Sequence, residues 1–288
     1  MLCTIGDLVE DVVVWLRADP VRGSDTSARI FRRRGGSAAN VAALAAAAGG
    51  RARFVGQVGD DWIGKALVDE LQAGGVDTHV TFAGRTGTIV VLVDASGERT
   101  MLTDRGAATQ LSVVPTDALD GVSVLHVPAY SLTVDPLANT ALELIGDAVE
   151  RGIPVTVDAS SVTVLREFGV DEFLSLLRQI EPKVFFCNRE ESHALGLALR
   201  TPAPGAACTI VKSGPRPTLI VHADGEAKSV PVPPVKEIID TTGAGDAFAA
   251  GSLLAMIAGQ DPATCVRAAH LLASRVLREP GASLGSRG

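Results

Sequence analysis

The sequence predicts an α/β protein: a doubly wound, mostly parallel sheet flanked by helices, with a small β-sheet lid. Three observations predict it. Short apolar runs of strand type alternate with longer helical stretches along most of the 288 residues, which is the pattern of βαβ units. Two regions break that rhythm with strand-like runs that have no helix of their own. Finally, 47% hydrophobic and 20% charged residues, in a chain long enough to bury about 75% of its unfolded surface, supply a large core without disulfide staples.

Each element follows from its local pattern. Residues 3–5 form an apolar first strand that stops at Gly6. Residues 12–15 and 28–33 are strand-like and flank a polar loop. An Ala-rich helix covers 39–48, a strand covers 53–56, and a helix covers 62–73 behind Asp60 or Asp61 as its cap. Residues 87–102 read as a hairpin, because the strand-like run Thr88-Ile89-Val90-Val91-Leu92-Val93 reaches a turn at 94–97 and Arg99-Thr100-Met101-Leu102 follows. Strands at 122–127, 155–157, 184–186, 208–211 and 219–221 alternate with helices at 136–151, 170–180 and 190–195. Two more helices, 245–258 and 262–277, close the chain. The segments 12–15, 28–33 and 87–102 are inserted in a single domain spanning 1–288, where a small separate sheet would suit closure over a ligand. Only residues 285–288 read as a low-complexity tail.

A formal charge of −7 argues against nucleic-acid and anionic-membrane partners, both of which need a basic footprint. A small-metabolite enzyme fits better. Cys3, Cys187, Cys208 and Cys265 lie far apart and read as buried hydrophobes of a reducing compartment. Residues 1–7 lack the pattern of a signal peptide, and the apolar stretches after Asn40 and Asp246 fall short of a membrane span. A cytoplasmic location is expected.

The strongest local signal runs from Ile238 to Gly251. An apolar lead-in reaches Gly243-Ala244-Gly245, and an Ala-rich helix starts at once. Unpaired N–H groups at such a terminus suit a phosphate or a developing anion, and Asp246 beside them is either a general base or merely a helix cap. This stretch is no dinucleotide fingerprint, since Phe248 stands where a small residue belongs. Gly59 to Ala66 imitates a nucleotide-binding loop, yet Asp60 and Asp61 stand in the would-be phosphate cradle and Ala66 replaces the hydroxyl residue. A second stretch, Arg34-Gly35-Gly36-Ser37-Ala38-Ala39-Asn40, pairs a close-approach turn with an amide able to bind a polyol.

Together the two stretches resemble the signatures of the ribokinase-like carbohydrate kinases, the PfkB family. The resemblance extends through Gly6-Asp7 and Asp11, Gly59-Asp60-Asp61 with Gly64, Asn188 to Glu191, and Lys212-Ser213-Gly214. It implies an ATP-dependent phosphotransferase with a β lid. Asp246 would be the base, and the N–H groups of Gly243, Ala244 and Gly245 the anion hole. Asp11, Gly35, Gly36 and Asn40 would bind acceptor hydroxyls, with Asp11 as a turn carboxylate the alternative. Asn188, Glu191, Lys212, Gly214 and His270 would serve the nucleotide. Glu191 would hold Mg2+ through water, although Asn188 and Glu191 also fit a capping box.

Pro217 departs from the family's usual turn by removing a backbone donor. His270 either edges the adenine or is an ordinary surface histidine. Asp240 and the segment 281–283 resemble the monovalent-cation loop of some members, which makes K+ a candidate cofactor. The expected reaction moves the γ-phosphoryl of ATP to a hydroxymethyl group of a sugar or sugar-like molecule. A nucleoside would need an aromatic slot, for which Trp15, Phe31 and Tyr130 are the candidates. An anionic sugar would need Arg99 or Arg105. A noncatalytic ligand sensor and a homodimer formed through the lid remain open readings.

Overall fold

The computed structural model describes residues 1–94, 98–198, 200–279 and 281–284; the expected turn positions 95–97 and tail 285–288 lie outside them. Strand β1 (Leu2–Ile5) is buried at every position, as a parallel strand covered by helices on both faces must be. The chain then leaves the large sheet as β2 (Val9–Leu16) and β3 (Ala28–Gly35) and returns through α1 (Ser37–Ala47) to β4 (Ala52–Val58). Helix α2 (Trp62–Ala73) leads to β5 (Val76–Phe82), and the hairpin β6 (Thr86–Val93) and β7 (Arg99–Gly106) leaves a second time. Next come β8 (Val124–Pro128), α3 (Leu137–Glu150), β9 (Val155–Asp158), α4 (Val162–Phe168), α5 (Val170–Ile180), β10 (Val184–Asn188) and α6 (Arg189–Ala194). The chain ends through β11 (Cys208–Lys212), β12 (Thr218–His222), β13 (Ala227–Val230), α7 (Ala244–Ile257) and α8 (Pro262–Val276).

Nine strands form the large sheet in the order β13-β12-β11-β10-β9-β8-β1-β4-β5. Its pairs are parallel from β5 to β11, and β12 runs antiparallel to both of its neighbours, β11 and β13. Helices α1, α2, α7 and α8 cover one face, with Phe54, Phe186 and Phe248 in that core. Helices α3, α4 and α5 cover the other around Phe173 and Phe185. From β1 the order runs one way through β4 and β5, and from β8 it runs the other. That makes β1/β8 a topological switch point, where the carboxyl ends of the strands open a crevice.

Four strands, in the order β3-β2-β6-β7, form the smaller sheet expected from segments 12–15, 28–33 and 87–102. Paired residues share a face of a sheet, so Asp11, Val13, Trp15, Phe31, Val91, Arg99 and Met101 lie on one side. Val12, Val14, Ile30, Val90, Leu92 and Leu102 lie on the other.

Three elements escape the sequence pattern. Strand β5 reads VDTHVTF and is only partly buried, so this sheet-edge strand carries no apolar run. Strand β13 is a four-residue edge with two exposed polar residues, and α4 is too short for a helical period to show.

Candidate active site

A parallel sheet delivers all its strand C-termini to one edge. Asp7 follows β1 there, Asp158 ends β9, Asn188 ends β10 and Lys212 ends β11. Helix α7 begins at the same place. Its N-cap, Gly243, has φ 74°, and a Cβ there would overlap Ala282, so only glycine makes this turn. The Ala244 N–H is directed at Thr241 O, 3.3 Å away. Among the described residues the N–H groups of Gly243, Gly245 and Asp246 have no backbone acceptor, which leaves them to an anion.

Asp246 lies in the first turn of α7 but does not cap it, which corrects the helix-cap reading. Its carboxylate instead accepts from Ser37 Oγ at 2.7 Å and Asn40 Nδ2 at 2.9 Å, both on α1. Arg34 Nη1 donates to Asn40 Oδ1 at 2.6 Å and so fixes which edge of the amide faces Asp246. Burial pushes Asp246 up to about 6 even though these two hydrogen bonds pull the other way. A carboxylate so placed is ready to accept a proton near neutral pH.

Asp11 faces the same space from β2. Its Oδ1 is buried and has no hydrogen-bond partner in the protein, while a Cβ on Gly35 would overlap it. Burial raises this carboxyl also to about 6, against the pull of Arg34 and with the push of Asp246. Gly36 is the N-cap of α1. The acceptor-side candidates Asp11, Gly35, Gly36 and Asn40 therefore converge on Asp246. Sequence reasoning missed Ser37, whose partner appears only when α1 meets α7, and Arg34, whose partner Asn40 appears only when β3 turns into α1.

On the other side, Asn188 and Glu191 form the expected capping box: Asn188 Oδ1 accepts from Glu191 N at 2.9 Å and Glu191 Oε2 from Asn188 N at 2.7 Å. Burial and the nearby Asp158 lift Glu191 to about 7. Lys212 Nζ donates to Asp158 at 2.7 Å and lies 3.7 Å from where a Cβ on Gly245 would stand, so its charge sits beside the free N–H groups. Burial alone would lower the Lys212 pKa, but Asp158 and Glu191 outweigh it and hold it raised. Gly214 turns with φ 59° into Arg216, whose N–H closes on Ser213 O. Beyond that turn, Val162, Arg166, Arg189, Glu190, His193 and Arg216 line a cavity of about 580 Å³. Three arginines around one carboxylate make it cationic, and nothing in their sequence spacing joins them.

Three expectations need correction. Arg105 and Arg99 are not free anchors for an anionic acceptor. Arg105 grips Asp7 with two bonds of 2.7 and 2.6 Å and lies over the Tyr130 ring, while Arg99 pairs with Asp240. His270 is a core residue, neither on the surface nor open to a base. Only 6% exposed, it meets Thr218 through Nε2 and the edge of Phe248, because α8 packs it beneath β12. Two other expectations hold: Asp61 caps α2 through Gly64 N, and all four cysteines are buried.

A model of the pfkB family of carbohydrate kinases matches residues 1–287. Ribokinase of Bacillus subtilis is 29% identical, across 99% of this chain and 95% of its own. Adenosine kinase of Saccharomyces cerevisiae is 28% identical, across 88% of this chain and 80% of its own. The crystal structure of adenosine kinase from Sinorhizobium meliloti superposes with a TM-score of 0.86 at 24% identity, covering 98% of this chain and 94% of that one; this shows a common fold. No helix among the described residues is long and apolar enough to cross a membrane.

Proposed function

The chain belongs to the pfkB family of carbohydrate kinases and is a phosphotransferase of the ribokinase type, and from that premise we propose that it phosphorylates a hydroxymethyl group of a neutral sugar or sugar-like acceptor. One observation carries this reading: a half-buried carboxylate, Asp246, held by Ser37 and Asn40, stands in the same helical turn as the unpartnered N–H groups that would receive the phosphoryl charge.

In this reading ATP supplies the γ-phosphoryl group together with Mg2+. The acceptor lies between α1 and the smaller sheet, its hydroxyls on Asp11 and Asn40. Asp246 takes the proton of the attacking hydroxyl as its oxygen bonds to the γ-phosphorus and the bond from that phosphorus to the β-phosphate oxygen breaks, with ADP leaving. The Gly243 and Gly245 amides with the Lys212 ammonium spread the charge of the transferring group. The arginines of the cationic cavity would serve the remaining phosphates. Magnesium prefers one or two carboxylates with waters and phosphate oxygens. Glu191 and Asp158 fit that demand, since Glu191 is buried beside Asp158 and gains from any added cation. The smaller sheet acts as a lid that excludes water, which would otherwise compete as acceptor.

A specific observation also favours a nucleoside. Val13, Trp15, Phe31, Val91 and Met101 share the sheet face of Asp11, giving an apolar surface on which a base could rest. A neutral acceptor of either kind suits a site whose nearby arginines are already paired. The deciding experiment measures ADP release with ribose, fructose, 2-keto-3-deoxygluconate and adenosine. Release with a neutral sugar supports the first reading and release with adenosine alone the second. Silence with all, despite demonstrated ligand binding, would point to the noncatalytic sensor.

A further inference from the structure

Resting on the kinase reading, the next question is how the turn before α7 is kept in shape. Asp240 and residues 281–283 resemble a loop that binds a monovalent cation, and Asp240 is the carboxylate such an ion would need. The residues present do not fit one. Asp240 Oδ1 accepts from Thr242 N at 2.8 Å, from Thr242 Oγ1 at 2.7 Å and from the Arg99 guanidinium. Its Oδ2 accepts from Gly281 N at 2.9 Å. The carbonyl of Ala282, a natural ion ligand, has Arg34 Nη2 at 3.5 Å. Arg33 presses so closely on Gly281 that a Cβ there would overlap its guanidinium. Positive charge therefore already fills the surroundings of both segments, and all of it comes from the smaller sheet.

Arg99 does more than neutralise. Its Nη1 donates to Thr242 Oγ1 at 2.5 Å while Nη2 meets Asp240, so one rigid fork grips two residues of the turn. The next residue, Gly243, opens the anion hole. Burial alone would raise the Asp240 carboxyl, yet the hydrogen bonds from Thr242, Gly281 and Arg99 hold it down to about 2, so it stays ionised for this grip at any working pH.

We propose that the Arg99 guanidinium, brought in on strand β7, takes the place a monovalent cation would fill and orders the anion-hole turn when the lid is seated. Arg99 is thus a positioning residue, and the chain carries its own activating cation. Two consequences distinguish this from a merely structural ion pair. The enzyme works without K+, and its anion hole is complete only with the lid closed.

The test compares ADP release and thermal midpoints in potassium chloride with those in tetramethylammonium chloride at equal ionic strength, for the wild type, Arg99→Ala and Arg99→Lys. The wild type should be indifferent to the ion in both measurements. Loss of a charged hydrogen-bonding partner should lower kcat of Arg99→Ala by about 10- to 100-fold, with a smaller change in acceptor KM. Potassium or millimolar guanidinium chloride should restore part of that loss and raise the midpoint of Arg99→Ala, where tetramethylammonium does neither. Arg99→Lys should keep more activity than Arg99→Ala. Stimulation of the wild type by K+ would overturn the proposal without needing any variant. Full activity of Arg99→Ala in tetramethylammonium, or a loss that neither ion repairs, would overturn it too. Should no acceptor be phosphorylated, the kinase reading fails separately, and the thermal comparison still decides whether Arg99 stands in for an ion.

Discussion

Asp246 and Ser37 are 209 positions apart in sequence and 2.7 Å apart in space, and two predictions follow from that contact. Asp246→Asn should keep the fold, because Ser37 and Asn40 still find a polar neighbour. It should lower kcat by about two to four orders of magnitude, the range for a positioned base, and near wild-type kcat would remove Asp246 from the mechanism. The second prediction concerns pH. A base must be deprotonated, so kcat/KM should rise with pH through about 6, where burial has placed Asp246. The Ser37 hydrogen bond favours the charged form. Ser37→Ala should therefore move the acidic limb to higher pH; an unmoved limb would assign that limb to another group, Asp11 being the alternative. The glycine turn and Asp246 are legible in sequence because they are contiguous. Ser37, Arg34, Asp158 and the Arg105–Asp7 pair are not, since each acquires its role only from a partner on another element.

At the scale of elements, alternation of strand and helix gave away the large sheet, and the absence of alternation gave away the smaller one. What stayed hidden were elements whose burial is one-sided or slight, such as β5 at the sheet edge. The smaller sheet is tied to the segment after β1 by Arg105 on Asp7 and to the turn before α7 by Arg99 on Asp240, both arginines lying on β7. Closure can thus be carried by two ion pairs at opposite ends of one strand, which favours a rigid-body motion over local unfolding. Amide hydrogen exchange in β6 and β7 should slow when acceptor is added, while β1 and β8 to β10 change little. Equal protection with and without an acceptor that demonstrably binds would show a fixed sheet in place of a moving lid.

For the whole molecule, the two faces of the smaller sheet pose separate demands. One face, with Asp11 and Arg99, turns toward the site, and the acceptor would cover its apolar residues. The other carries Val12, Val14, Ile30, Val90, Leu92 and Leu102, with Ile30 62% and Leu102 55% exposed. No helix covers it. An apolar sheet face in water is a docking surface or an aggregation hazard, and the Arg32 guanidinium on the same face is already neutralised by Glu10 at 2.8 Å, which suits an apolar contact between two identical surfaces. A second copy of the chain is the occupant this argues for. Sedimentation should give twice the chain mass of 29.7 kDa, and an Ile30→Asp, Leu102→Asp double variant should halve it. Because the opposite face of the same strands bears Asp11 and Arg99, loss of the dimer should also loosen the lid and raise acceptor KM while leaving the α1–α7 contact around Asp246 intact. A wild type that sediments as a monomer would free this face from any role in self-association and leave the lid to be steadied by its two arginines alone.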